Sequence, residues 1–238
     1  MLLTGGWLMS FFPLLIFLGL APLFAIVERV DARGQVLEKM EYILVAFSIS
    51  LGTFAFLRGQ SIAFALVASI SCTIVFAGFS WVRQTLGNRT GTITIIIFWL
   101  AMEYLFLKVY PERSFFLADS LLLPGGWVKW TAYTGYLGSS LWILVVNWCL
   151  YQGLLQENGL SPAWIVTGII AWIGPLVSSY FLTTSPIVRQ DMVNLYSALP
   201  AHTDVVYLAR GEWVVRSSAW LTALILLFTL VRRQTRKQ

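Results

Sequence analysis

Two polar residues stand inside apolar runs and are the first candidates for chemistry: Glu103 in IIIFWLAMEYLFLKV and Asn147 in SSLWILVVNWCLY. A carboxylate among apolar residues is costly unless it is paired, protonated or turned toward a polar cavity. Three readings of Glu103 are therefore open: a station on a proton or substrate path, a structural acceptor for a tyrosine, an indole or a backbone group, or a group near the membrane interface. Asn147 reads as a helix-to-helix hydrogen bond ahead of a catalytic group. His202 is the only histidine, beside Thr203 and Asp204, and a lone imidazole without further ligands does not assemble a zinc site. Cys72 and Cys149 lie within apolar runs, where a thiol behaves as a small hydrophobe. No GxSxG, phosphate-binding loop, HExxH or CxxC motif occurs, so no metal or cofactor is expected.

The elements that must position these residues are membrane helices. Of 238 residues 58% are hydrophobic and 11% charged, against about a quarter charged in soluble domains; mean hydropathy is +0.77. The expected fold class is an all-α polytopic membrane protein of about seven transmembrane helices. Hydropathy places them near Trp7–Val27, Tyr42–Phe56, Ser61–Val82, Ile93–Val109, Thr131–Leu154, Ala163–Leu182 and Ser217–Val231. Pro13 and Pro22 predict a kink in the first run, which reads as a retained span because no basic segment or cleavage site flanks it. RQTLGNRTGT, from Arg83 to Thr92, reads as a basic loop, and FFLADSLLLP as a patch that dips into the outer interface without crossing it.

The organising stretch is WVKWTAYTGYLGSSLWILVVNWCLY, from Trp127 to Tyr151. Aromatics and one lysine lead into small residues and then an apolar helix, the order of an interfacial belt entering a tightly packed span. Trp127, Trp130, Tyr133 and Tyr136, with Glu103 and Asn147, are the candidate lipid or cavity residues. Gly135 and Gly138 permit a close approach, although their spacing is not GxxxG.

Seven spans place the termini on opposite sides. With RRQTRK at the C-terminus cytoplasmic, nine of the sixteen Lys and Arg fall inside and seven outside. The net charge of +5 is spread over short loops and this tail, which argues for topology and anchoring and against a nucleic-acid partner. The expected organisation is a six-helix bundle at 1–182, an extracytoplasmic loop at 183–216, and a last helix with a basic cytoplasmic tail at 217–238.

Several stretches in order resemble the membrane portion of apolipoprotein N-acyltransferase, an enzyme of the bacterial inner membrane that moves an acyl chain from a phospholipid to a lipoprotein's N-terminal cysteine. FLGLAPLFAIVE (Phe17 to Glu28), FWLAMEYL (Phe98 to Leu105) and TDVVYLARGEWVVRSSAW (Thr203 to Trp220) look like family segments, and Glu103 takes the place of the family's glutamate. WTAYTGYLGSSLWILVVN (Trp130 to Asn147) is similar to its most distinctive membrane motif, especially in the Bacteroidota form. In that family a nitrilase-like domain with a Glu-Lys-Cys triad lies between the last two spans. Here that interval is Thr183 to His202, with no cysteine outside the spans and no lysine between Lys129 and Lys237. The family's first membrane helix also has no match ahead of Phe17.

The resemblance implies a non-catalytic membrane scaffold or lipid-binding subunit, a pseudoenzyme relative acting with a protein partner at the extracytoplasmic face and with membrane phospholipid. Val193, Leu195, Tyr196, Tyr207, Arg210, Glu212 and Arg216 are its candidate docking residues. Two other classes stay open: the membrane half of a split lipoprotein N-acyltransferase, and a small transporter or channel component.

Overall fold

The computed structural model describes residues 15–31, 36–57, 59–109, 115–121, 128–155, 159–183 and 205–235, with backbone alone at 29–31, 36–39, 88–92 and 205–213. Among the described residues all regular structure is helical and no strand occurs. Five of these helices are long and apolar enough to cross a membrane: Met40–Leu57, Ile62–Leu86, Gly138–Leu155, Pro162–Phe181 and Val214–Thr235. A multi-pass membrane protein is the class these helices fit. Hydropathy led us to expect seven spans, and five helices among the described residues meet the length and hydropathy of one.

The chain divides into two compact units, Met1–Ala25 with Leu105–Val214, and Ile26–Tyr104 with Val215–Gln238. In the second unit, α3 (Val36–Leu57) and α4 (Ile62–Leu86) form a packed hairpin. Gly59 turns the chain between them with φ +64°, a conformation that costs glycine nothing. Helix α5 (Asn88–Val109) follows α4 after Gly87 alone, whose φ is +98°. The stretch from Arg83 to Thr92 is thus helical on both sides of one glycine instead of a loop: the N–H of Gly87 closes the last turn of α4 on the Arg83 carbonyl at 2.9 Å. Phe47, Phe76 and Trp99 pack as an aromatic triangle with centroids 5.7 to 6.3 Å apart.

Pro13 lies outside the described residues, and the described part of the first apolar run, from Leu15 onward, is not one helix. It divides into α1 (Ile16–Gly19) and α2 (Ala21–Asp31), with the break at Leu20. Pro22 explains why the backbone changes there, since it has no N–H to give to the carbonyl four residues back and its ring crowds that group. The fifth run is also interrupted. Short α6 (Thr131–Thr134) ends at Gly135, with φ +79°, and the long helix α7 starts at Gly138. It runs Gly138–Leu150 and continues as one π turn over Tyr151–Leu155. A Cβ at Gly138 would land on the Thr134 side chain, so the corner between α6 and α7 requires that glycine.

Helix α8 (Pro162–Phe181) returns alongside α7, and α9 (Val205–Thr235) begins well ahead of Ser217, where hydropathy starts the last span. At about 1.5 Å per residue, the 31 residues of α9 reach roughly 46 Å, beyond a hydrocarbon core of about 30 Å. Part of the polar stretch ahead of Ser217 is therefore helical.

Candidate functional site

Helix α7 carries three polar side chains whose hydrogen bonds, among the described residues, go to backbone: Ser140, Trp142 and Asn147. Asn147 is fully buried. Its Oδ1 accepts from the N–H groups of Leu20 at 2.9 Å and Ala21 at 3.1 Å, and its Nδ2 donates to the carbonyls of Ile16 and Ile143, both at 2.9 Å. An asparagine amide offers two acceptor positions and two donors, and all four are used. Leu20 N–H to Ile16 C=O is the rung an unbroken helix would form. Asn147 is inserted into that rung and serves both of its ends, so the break ahead of Pro22 leaves neither group orphaned.

The same logic recurs on the other flank. Pro175 lies inside α8 and cannot donate to the carbonyl four residues back, which belongs to Ala171. That carbonyl accepts from Trp142 Nε1–H at 2.7 Å. The Trp142 ring also packs edge-on to Phe17, 4.7 Å between centroids, and to Trp130, 5.6 Å. One helix therefore splints two proline-weakened neighbours, α1/α2 through Asn147 and α8 through Trp142.

The connection ahead of α6 is fastened to the start of α7. A 3-10 turn, Leu117–Leu121, buries Leu117, Ala118, Ser120 and Leu121 together with Phe115 and Phe116. The Ala118 N–H donates to Ser140 Oγ at 3.0 Å, the Phe116 N–H donates to Asp119 Oδ2 at 3.2 Å, and the Tyr136 hydroxyl donates to Asp119 Oδ1. Lys129 donates to the Leu182 carbonyl at 3.1 Å, which satisfies a C-terminal carbonyl of α8 with a cation on the negative end of its dipole.

Small residues let α7 and α8 approach. A Cβ on Gly168 would sit 3.2 Å from that of Cys149, and one on Gly153 would come within 2.8 Å of the Ile165 side chain and 3.1 Å of its backbone nitrogen. Beside this contact an apolar groove of about 320 Å³ opens between α1, α7 and α8. Leu15, Phe17, Leu18, Val146, Leu150, Gly168, Ile169 and Trp172 line it.

The residues singled out from sequence fall into separate groups. Trp130, Tyr136 and Asn147 belong to the assembly around α7, whereas Tyr133, on α6, is half exposed. Glu103 is fully buried in the second unit, where its carboxylate accepts from Trp99 Nε1–H at 3.0 Å, one turn back on α5. Arg216 is exposed on α9, and Tyr207, Arg210 and Glu212 lie on the same helix where backbone alone is described. Trp127, Val193, Leu195, Tyr196 and His202 lie outside the described residues. Cys72 and Cys149 are free and buried, and the described residues hold no cluster of three metal-ligating side chains.

Sequence reasoning missed Trp142, Ser140, Asp119 and Gly168. A signal for Trp142 was present, because a proline inside a span frees a carbonyl that a neighbouring donor must satisfy; what the chain does not announce is which donor. Comparison of the chain with protein-family models, with curated proteins and with solved structures finds no match.

Proposed function

We propose that this chain is a non-catalytic membrane scaffold or lipid-binding subunit, related to the membrane portion of apolipoprotein N-acyltransferase and acting with a protein partner. The observation that carries the reading is the splinted frame around α7. The stretch from Trp130 to Asn147, on which the resemblance mainly rests, commits its polar groups to backbone: Asn147, Trp142 and Ser140 bond main-chain atoms of three other segments. A region so arranged holds a shape. It is suited to binding and positioning.

In this reading α5 and the broken α1/α2 segment complete seven spans in a bacterial inner membrane, with the N-terminus outside and the C-terminus cytoplasmic. Residues 183–216 and the start of α9 then meet the partner on the extracytoplasmic side, where a catalytic domain stands in apolipoprotein N-acyltransferases. Purification of the tagged full chain from native membranes in mild detergent tests this, and a stoichiometric extracytoplasmic protein is expected to accompany it. Repeated recovery of the isolated chain defeats the proposal. Lipoprotein acylation appearing when chain and partner are combined would replace it with the split-enzyme reading.

A further inference from the structure

The groove between α1, α7 and α8 lies between the two points at which α7 repairs its neighbours. Val146 of its wall adjoins the asparagine that bridges the α1/α2 break. Trp172 adjoins Ala171, whose carbonyl Trp142 holds. Irregular backbone at membrane depth is tolerated where it is buried in protein or lines a cavity, and here it is held in place beside one. The eight lining residues are apolar, aromatic or glycine, and the polar group among their side chains is the buried Trp172 Nε1–H, so the site offers a solute no charge and no side-chain acceptor.

Its mouth opens on an apolar face. Leu18 and Ile169, on the rim, are 42% and 45% exposed, and α8 is only 11% buried over its apolar window. Helix α8 is one of the five apolar helices, so the medium against such a face is hydrocarbon. A cavity of about 150 Å³ accommodates benzene, so about 320 Å³ takes roughly a dozen carbon atoms. That is a large part of one fatty acyl chain. Transfer from bilayer to groove has no hydrophobic gain, and what selects this position is van der Waals contact with a concave, preformed wall.

We infer that the groove is an acyl-chain site, occupied by one tail of a bilayer glycerophospholipid that enters laterally past Leu18 and Ile169. This rests on the lipid-binding part of the reading above and not on the protein partner. The wall is rigid because its two weak points are splinted, and Gly168 lets α8 close on α7 beside the groove, since a Cβ there would sit 3.2 Å from that of Cys149.

The test uses the full chain in nanodiscs of phosphatidylethanolamine and phosphatidylglycerol, doped with phosphatidylethanolamine bearing a mid-chain diazirine. After illumination, adducts are mapped by mass spectrometry. Labelling is expected to concentrate on Leu18, Val146, Leu150 and Ile169 relative to Ile173 and Val177, which are exposed on α8 outside the groove. Ile169→Trp fills the mouth and is expected to lower labelling at Leu18, Val146 and Leu150 at least tenfold. Ile170→Trp, an equally bulky change at an exposed residue outside the lining, is expected to leave it unchanged. Leu18→Trp closes the mouth from α1 and provides a second blocking variant.

Even labelling over the whole apolar face of α8, or groove labelling that survives both blocking variants, overturns the inference. So does labelling by a diazirine free fatty acid where the phospholipid gives none. Scoring the partner on the same preparations separates the two ideas: a partner that still co-purifies when groove labelling fails leaves the scaffold reading standing and removes this site.

Discussion

Replacing Trp142 with Phe removes one donor and keeps an aromatic ring against Phe17 and Trp130, which isolates the bond to the Ala171 carbonyl. A buried acceptor left without a partner costs about 1–3 kcal/mol in proteins generally, while interhelical hydrogen bonds measured in a membrane average about 0.6 and reach about 1.7 kcal/mol. The carbonyl is orphaned only because Pro175 lacks an N–H, so the cost depends on that proline. In a Pro175→Ala background, Ala at 175 supplies an i to i−4 N–H to Ala171, and the indole becomes redundant. Trp142→Phe is therefore expected to cost about 1–2 kcal/mol in the native background, including some loss of packing, and about 1 kcal/mol less when Pro175 is Ala. Reversible unfolding by SDS titration in mixed micelles measures all four corners of this double-mutant cycle. Independent sites add to within about 0.3–0.5 kcal/mol, so a coupling inside that margin refutes the splint argument for α8.

Asn147→Ala removes four hydrogen bonds and orphans the N–H groups of Leu20 and Ala21; a loss of about 2–4 kcal/mol is expected in the same titration, with Val146→Ala as a packing control. Tyr136→Phe deletes the donor to Asp119 and is expected to speed hydrogen exchange at the Phe116 and Ala118 amides while leaving amides in the middle of α7 protected. Gly153→Ala places a methyl group against Ile165, and should cost about 1–3 kcal/mol by SDS titration, partly recovered by Ile165→Ala. The ion pair of Arg83 with Glu28 at 3.2 Å has side chains 16% or less exposed, so Glu28→Gln alone should cost more than the about 1 kcal/mol of an exposed pair and the coupling with Arg83→Gln should respond weakly to added salt, both read by SDS titration.

The multi-pass membrane class and the approximate position of the five long apolar helices were legible in the chain, because hydropathy and glycine or proline punctuation are properties of a local window. Boundaries were less so. The loop expected at Arg83 to Thr92 shrank to Gly87, since hydropathy detects where a helix leaves apolar surroundings and not where its hydrogen bonds end. For the same reason α9 starts at Val205, ahead of its apolar part.

The sequence by itself also pointed to places where the backbone would be in difficulty: Pro22 marks a break in the first run, and Pro175 frees the Ala171 carbonyl by arithmetic along the chain. Only the tertiary structure decided what relieves them. Asn147 is 131 positions from Ile16 and 127 from Leu20, and Trp142 is 29 from Ala171. No local propensity relates residues so far apart. A helix presents a side chain every 100°, and which of α7's polar groups meets a freed rung depends on how three helices pack. That packing rests on the glycines at 153 and 168 and on the shape of the rings around Phe17, quantities that exist only once the helices are together.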